Sequence, residues 1–127
     1  LLFIIFVIIN LISYNMAITN NSELAIVGKS GKVYSFTMYS LPTQCEFNTD
    51  YPCVYIYFQN SDPIQLIYAG KTTDLPCRFK EHAKNDPHIL NDSNYIAISY
   101  CSTPDIMDDL EVDILEGNSF KYNKQHN

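Results

Sequence analysis

The stretch CVYIYFQNSDPIQLIYAG, residues 53–70, decides the fold of this chain. Residues 53–58 and 64–70 are rich in aromatic and β-branched side chains, which favour β-strands. Both runs are apolar almost throughout, a pattern typical of buried strands. Because a short polar turn, QNSDP, joins them, the stretch predicts a β-hairpin.

The hydrophobic pattern changes its period directly after this hairpin. Residues 72–74 are Thr, Thr and Asp, all of which are common helix N-caps. Arg78 and His82 lie four apart and are therefore neighbours on one helix face, while Asn85-Asp86-Pro87 ends the helix. The predicted apolar face of this helix, at every fourth position, is Leu75, Phe79 and Ala83.

Three further elements surround this unit. Residues 33–39 follow a glycine and are strand formers, and residues 94–101, NYIAISYC, read as another core strand. Pro104 opens a last helix that Gly117 ends. The expected apolar face of that helix is Ile106, Leu110 and Ile114. The order β-β-β-α-β-α predicts an α+β fold, in which helices flank a small, mainly antiparallel sheet.

The length of 127 residues suits a single domain, which we assign to residues 16–127. Residues 1–13, LLFIIFVIINLIS, are long enough for a signal-peptide core and too short for a transmembrane helix. No Lys or Arg precedes this run. Three interpretations of residues 1–15 stay open: an upstream extension before a start at Met16, a remnant signal or membrane anchor, and a core element of the fold.

Charge and cysteine content narrow the function classes. The formal net charge is -6, which argues against broad nucleic-acid binding, although a local basic face can exist on an acidic protein. Six of the eight basic residues lie between Lys71 and Lys124. The four cysteines form no C-x-x-C pair, so a zinc site of the usual spacing is not expected. We expect a cytoplasmic protein with reduced thiols, whereas an exported protein would be able to form two disulfides.

Five positions together resemble the signature of the GIY-YIG nuclease family. Cys53-Val54-Tyr55 stands where the family has Gly-Ile-Tyr, and Tyr68-Ala69-Gly70 stands where it has Tyr-Ile-Gly. Arg78 follows in the predicted helix, eight residues after the glycine. The segment LEVDILEGNSFKYN then resembles the closing helix of the family, with its acidic residue at Glu111 and its final Asn at Asn123. The similarity spans about residues 31–123, and the combined order and spacing make it specific.

This resemblance implies a metal-dependent endonuclease that hydrolyses phosphodiester bonds in DNA. Glu111 would hold a single Mg²⁺ or Mn²⁺, since hard cations prefer carboxylate oxygen. Of Tyr55 and Tyr68, one would help to deprotonate the attacking water and the other would orient water or phosphate. An ordinary phenol has a pKa of about 10, so this role needs positive charge nearby, which Lys71 and Arg78 could supply. From strand alternation and helix spacing, we expect all five of these side chains to converge on one concave face.

The remaining matched positions have supporting roles by the same resemblance. Arg78 would bind the scissile phosphate with its forked donors, and His82, one helical turn on, would contact the phosphate or relay a proton. Gly70 would let the backbone turn close to the phosphate, and Asn123 would fix local structure by hydrogen bonding. Each of these residues also has a structural alternative, such as a surface ion pair for Arg78 with Glu81.

Three positions depart from the family pattern: Cys53 replaces a Gly, Ala69 an Ile and Phe120 a common Pro. They favour a second hypothesis, a catalytically degenerate module of the same family that binds nucleic acid or protein without cutting. The expected partner of the enzyme is DNA, with branched and flapped forms as candidates, and no small-molecule cofactor is expected. Membrane association is expected only if residues 1–13 are a real anchor. The sequence gives no indication of oligomeric state.

Overall fold

The computed structural model describes residues 16–18, 23–42, 47–48 and 50–123. A six-stranded antiparallel sheet forms its centre, in the order β1-β2-β3-β6-β4-β5. The strands are β1 Met16–Ile18, β2 Glu23–Val27, β3 Val33–Ser40, β4 Cys53–Gln59, β5 Gln65–Thr72 and β6 Tyr95–Tyr100. The helices are α1 Leu75–Asn85, α2 Pro87–Asn91 and α3 Pro104–Gly117. The chain therefore has the predicted α+β fold with an antiparallel sheet flanked by helices.

Strand β4 is buried on both faces, which explains its unbroken apolar sequence. Val54, Ile56 and Phe58 enter a core that α3 covers, together with residues of β2, β3 and β6. The alternate residues Cys53, Tyr55 and Tyr57 enter a second core beneath α1 and α2. Because side chains alternate along a strand, β4 sends aliphatic groups mainly to one side and tyrosines to the other.

The predicted hairpin is confirmed, since β4 pairs with β5 in antiparallel register. The sequence pattern did not indicate that β6, which follows α2 in the chain, lies between β3 and β4. It also missed β1, β2 and α2. Strand β2 has only five residues, of which Leu24 and Ile26 are fully buried. Its apolar alternation is too short to be recognised in the sequence between the polar segments on either side.

Both predicted helix faces need correction. In α1 the third inward position belongs to His82, which is 1% exposed, whereas Ala83 is exposed. In α3, Ile106 is 50% exposed and Met107 takes its place beside Leu110 in the core. Each prediction erred by one residue, or 100° around a helix, because apolar spacing alone does not fix the rotation of a helix on its sheet.

Residues 1–15 and Cys45 lie outside the described residues, so the interpretations of the N-terminus and the pairing of Cys45 stay predictions. Cys53, Cys77 and Cys101 are free thiols. Across the described part of the chain, no helix combines the length and apolar character needed to cross a membrane.

Candidate functional site

Tyr55 and Tyr68 share the face of the sheet that α1 covers, and their ring centroids lie 6.3 Å apart. A bulge helps to aim Tyr68. The register of the hairpin shifts between Tyr57 and Phe58, so that Tyr57 faces Tyr68 but Phe58 faces Leu66. Ile67 and Tyr68, although consecutive, therefore both contribute to the core beneath α1. Bulges re-aim side chains in this way beside many functional sites.

The hydroxyl of Tyr55 is the centre of a hydrogen-bonded group. Arg78 Nε donates to Tyr55 Oη at 3.3 Å, and Tyr55 Oη lies 2.8 Å from His82 Nε2. Arg78 also reaches outward, where its Nη1 donates to Glu81 at 2.9 Å. The rings of Tyr55, Tyr57 and Tyr68 all stand edge-on to His82, at centroid distances of 5.7, 5.7 and 5.1 Å.

Burial and charge oppose each other at Tyr55. Burial raises the pKa of the Tyr55 phenol well above its usual value, although the hydrogen bond and the charge of Arg78 lower it. Burial has the larger effect, so Tyr55 keeps its proton at neutral pH. The positive charge expected beside the phenol is present, but in this arrangement it does not produce a phenolate.

His82 is buried and makes two hydrogen bonds. Its Nδ1 lies 3.1 Å from Asp86 Oδ2, while Nε2 faces Tyr55. Burial lowers the pKa of the His82 imidazole, Arg78 lowers it further, and the hydrogen bond to Asp86 acts in the opposite direction. The ring is therefore uncharged at neutral pH and can accept a proton.

Gly70 lies opposite Tyr55 in the hairpin register. A Cβ at this position would overlap the Tyr55 hydroxyl and stand 3.1 Å from Cε2 of Tyr68. The expected reason for this glycine, a turn of the backbone, is wrong, because β5 continues to Thr72. The missing side chain instead makes room for two phenols on one face of the sheet.

Lys71 and Glu111 meet on the opposite face of β5. Lys71 Nζ lies 2.8 Å from Asp108 Oδ1 and 3.8 Å from Glu111 Oε1, both on α3. The hydrogen bond from Lys71 to Asp108 raises the pKa of the lysine, which is therefore a cation at neutral pH. The expectation that Lys71 and Glu111 share one face with Tyr55, Tyr68 and Arg78 is thus wrong, since alternation along β5 separates them.

Asn123 holds the outer edge of β5. It is 1% exposed, its Oδ1 accepts from Ala69 N at 2.7 Å, and its Nδ2 donates to Ala69 O at 2.8 Å. Lys121 N and Tyr122 N donate to Leu66 O and Ile67 O further along the same edge. Asn123 thus fixes local structure by hydrogen bonding. Its side chain takes the place of a neighbouring strand for the backbone N–H and C=O of Ala69.

The donor set beside Lys71 is compatible with a single hard cation. Asp108 and Glu111 are one helical turn apart, and Mg²⁺ commonly uses one or two carboxylates and keeps several waters. Lys71 Nζ now lies between them and would have to move aside or share the site. Within the described residues, no group of three or more His, Cys, Asp or Glu side chains is placed to hold a metal ion.

Three residues near the site were not among the predicted ones. Asp86 contacts His82, and the i, i+4 spacing of the two residues could have indicated it. Asp108 contacts Lys71, and only the packing of α3 on β5 brings them together. Tyr57 is fully buried, and its hydroxyl has no partner among the described residues.

The structure thus places a guanidinium, two neighbouring phenols and a neutral imidazole on one side of the sheet, and two carboxylates with a lysine on the other. Such groups are suited to binding an anion and to moving a proton beside it. Comparisons of the chain with protein-family models, with curated proteins and with solved structures found no match.

Proposed function

We propose that this chain is an endonuclease that hydrolyses phosphodiester bonds in DNA with one divalent metal ion. The observation that carries the proposal is the hydrogen-bonded array of Arg78, Tyr55 and His82, with the ring of Tyr68 beside it. A buried phenol between a permanent cation and a neutral imidazole is costly to build in a core. A catalytic role accounts for that cost, because the phenol would accept the proton of a reacting water.

Arg78 binds the scissile phosphate in this proposal. Its guanidinium has five N–H donors, and the contacts to Tyr55 and Glu81 engage two of them. The contact to Glu81 raises the pKa of Arg78 above its already high value, so the charge is permanent. With its side chain 39% exposed, Arg78 can meet a phosphate from solvent while it stays tied to Tyr55.

Tyr55 and Tyr68 act on the attacking water in this proposal. Because the Tyr55 side chain is fully buried, that water reaches its hydroxyl only as neighbouring side chains move on substrate binding. Because burial keeps Tyr55 protonated, its oxygen can take a proton from water only as its own proton passes to His82. Tyr68, half-buried at the outer strand, orients the water or a phosphate oxygen. Gly70 keeps the space that both phenols need, and Asn123 holds the strand edge in place.

Glu111, with Asp108 beside it, would hold the Mg²⁺ or Mn²⁺. The bound ion supplies charge neutralisation for the phosphorane-like transition state. Strand β5 is the last strand of the sheet, and residues 121–123 cover its outer edge from Leu66 to Ala69. A DNA backbone that lies across the edge beyond Ala69 could meet the groups on both faces of β5. Lys71 would then leave the carboxylates and turn toward phosphate.

A non-cutting binding module is the second candidate. The observation that favours it is the position of Lys71, whose ammonium already neutralises Asp108 and Glu111. If a metal ion does not displace Lys71 from the two carboxylates, the chain can bind phosphate through Arg78 but lacks the ion needed to hydrolyse a phosphodiester bond. A cytoplasmic location belongs to either version of the proposal, and the three free thiols support it.

The test is incubation of the protein with flapped, branched and plain duplex DNA in Mg²⁺, in Mn²⁺ and in EDTA. We expect cleavage with either metal and none in EDTA. Binding without cleavage in every metal would support the non-cutting module. Absence of both binding and cleavage would contradict both candidates.

A further inference from the structure

Asp86 does not use its carboxylate as its place in the chain predicts. It ends α1 and precedes α2, where Asp commonly caps the following helix, yet its carboxylate makes no capping hydrogen bond to α2. Its side chain instead reaches back to His82 Nδ1, while its backbone N–H makes the usual helix-end bond to His82 O. The carboxylate is thus committed to the ring of His82.

The hydrogen bonds around His82 can be given directions. Arg78 Nε can only donate, so Tyr55 Oη accepts from it and is free to point its own proton at His82 Nε2. His82 Nε2 then carries the lone pair, and Nδ1 carries the hydrogen that Asp86 accepts. A carboxylate at Nδ1 therefore selects the tautomer in which Nε2 can accept a proton.

We propose that Asp86 is the positioning residue of a proton relay in which His82, through Tyr55, receives the proton of the attacking water. This inference rests on the proposed nuclease function and adds the group that orients its final proton acceptor. The arrangement parallels the Asp-His-nucleophile logic of hydrolases, with a phenol and a water in place of a serine.

The step balances without any further reactant. The water oxygen forms a bond to phosphorus, and its proton passes to Tyr55 Oη while the Tyr55 proton passes to His82 Nε2. The bond from phosphorus to the leaving oxygen breaks, and that oxygen takes a proton from solvent. His82, now an imidazolium with both N–H groups hydrogen-bonded, returns its proton to solvent afterwards.

The surroundings of His82 suit this role. The groups facing it are the phenols of Tyr55 and Tyr57 on β4 and of Tyr68 on β5. From its own helix come the cation Arg78 and the carboxylates of Glu81 and Asp86. Burial and Arg78 lower the pKa of His82, while Asp86 and Glu81 raise it. Activity should therefore rise with pH through the pKa of His82, and loss of Asp86 should move that rise to lower pH.

The test compares wild type, Asp86→Asn, Asp86→Ala and the control Glu116→Gln, which removes one exposed charge on α3 across the sheet. For each, kcat and KM are measured across pH on the DNA that wild type cuts, and histidine ¹⁵N shifts identify the protonated ring nitrogen. Wild type should carry its proton on Nδ1. Both Asp86 variants should lose about 10- to 100-fold in kcat, a part of the ~10²–10⁴ that general-base catalysis contributes, with little change in KM.

The two Asp86 variants should also differ from each other. Asparagine can still accept from Nδ1, so Asp86→Asn should keep the tautomer, whereas Asp86→Ala should lose it. Both should shift the acidic limb of the pH profile downward, and Glu116→Gln should not. If wild type is active and both Asp86 variants keep its kcat and the position of its acidic limb, the relay is overturned and the proposed function stands. A hydrogen on Nε2 of His82 in wild type would have the same consequence. A folded but inactive wild type would overturn the proposed function, and the relay with it.

Discussion

Single side chains determine this site through close contacts around the Tyr55 hydroxyl. Arg78, His82 and the empty position at Gly70 each meet that oxygen, and none of these contacts joins neighbours in the sequence. The side chain of Tyr55 is fully buried, so it cannot move away from an added group without disturbing its neighbours. The addition of a single methyl group beside the Tyr55 hydroxyl should therefore change stability and activity measurably.

Gly70→Ala is expected to separate Tyr55 from His82. The new methyl group would overlap the Tyr55 hydroxyl, and the ring must shift into a packed core. Overpacking of this kind costs about 1–3 kcal/mol of unfolding free energy. Urea unfolding should show that loss, and cleavage should fall further than stability does. A variant with normal stability and normal cleavage would show that the phenol is not confined as described.

Glu111→Gln is expected to abolish cleavage and leave the fold nearly intact. Glutamine keeps the shape and helix propensity of the residue but loses the charge that holds a hard cation. Lys71 keeps its contact to Asp108, so the surface of α3 is not left with an unpaired lysine. Loss of the ion removes several kcal/mol of transition-state stabilisation, for a rate loss of at least ~1000-fold.

Single-turnover cleavage and a DNA-binding titration would check this prediction, with Glu116→Gln as the matched charge control. Arg78→Ala should differ from Glu111→Gln, because a phosphate contact exists before the transition state and its loss weakens binding as well as turnover. Near-normal cleavage by Glu111→Gln would remove the basis for a metal site on α3.

Among the strands and helices, those set by local sequence were predictable, and those set by tertiary packing were not. The β4–β5 hairpin and the start of α1 follow from local chemistry: the hairpin was predicted correctly, and the N-cap Asp74 is one of the three candidates at residues 72–74. The bulge that places Ile67 and Tyr68 on one face leaves no signal in composition. Lys71 is three residues from Tyr68, so strand alternation along β5 places the two side chains on opposite faces. Whether Glu111 lies beside Lys71 or beside Tyr68 depends on the face on which α3 packs, which the sequence does not display.

The segment after α3 acts as an element although it is neither helix nor strand. It runs along β5, and Asn123 satisfies both backbone groups of Ala69. Asn123→Ala should leave a buried N–H and C=O without these partners, which costs about 1–3 kcal/mol. It should also loosen the strand that carries Tyr68, so cleavage at a temperature where the variant is folded should fall.

Asn118→Ala is the matched control for that variant. Its side-chain amide donates to Val27 O and Ile114 O, away from the tyrosines. This variant should lose comparable stability in urea unfolding but keep its cleavage rate. Equal loss of activity in both variants would mean that Asn123 contributes stability alone.

Over the whole molecule, charge is divided between the two sides of the sheet. Helix α1 carries Arg78, Lys80 and Lys84 against a single acid, Glu81, whereas α3 carries six acids and no basic residue. Six of the fourteen acidic residues thus lie on α3, while Asp74 and Asp86 at the ends of α1 offset the excess of basic residues in that helix. In the proposed nuclease, the acids of α3 would need a bound metal ion before phosphate could approach them.

A carboxylate on α3 joins that helix to the turn between β2 and β3, and it carries the last prediction. Asp113 on α3 accepts from Ser30 N at 2.9 Å, from Ser30 Oγ at 2.6 Å and from Tyr34 Oη at 2.6 Å, in the turn before β3 and at its start. Burial raises the pKa of the Asp113 carboxyl, but the hydrogen bonds from Ser30 and Tyr34 lower it more, so the net pKa is below the usual value.

A carboxyl with a depressed pKa in the folded state stabilises the fold above its unfolded pKa of about 3.9, and loses that contribution as pH falls through its folded pKa. Asp113→Asn should therefore cost about 1–3 kcal/mol at pH 7, and the difference from wild type should shrink as pH falls below the unfolded pKa and through the lower folded pKa. Urea unfolding of both proteins from pH 7 to pH 2.5 measures this. Asp109→Asn, an exposed neighbour on the same helix, should stay within about 0.5 kcal/mol of wild type. A difference for Asp113→Asn that is constant across pH would mean that the carboxylate charge is not what joins α3 to the β2–β3 turn.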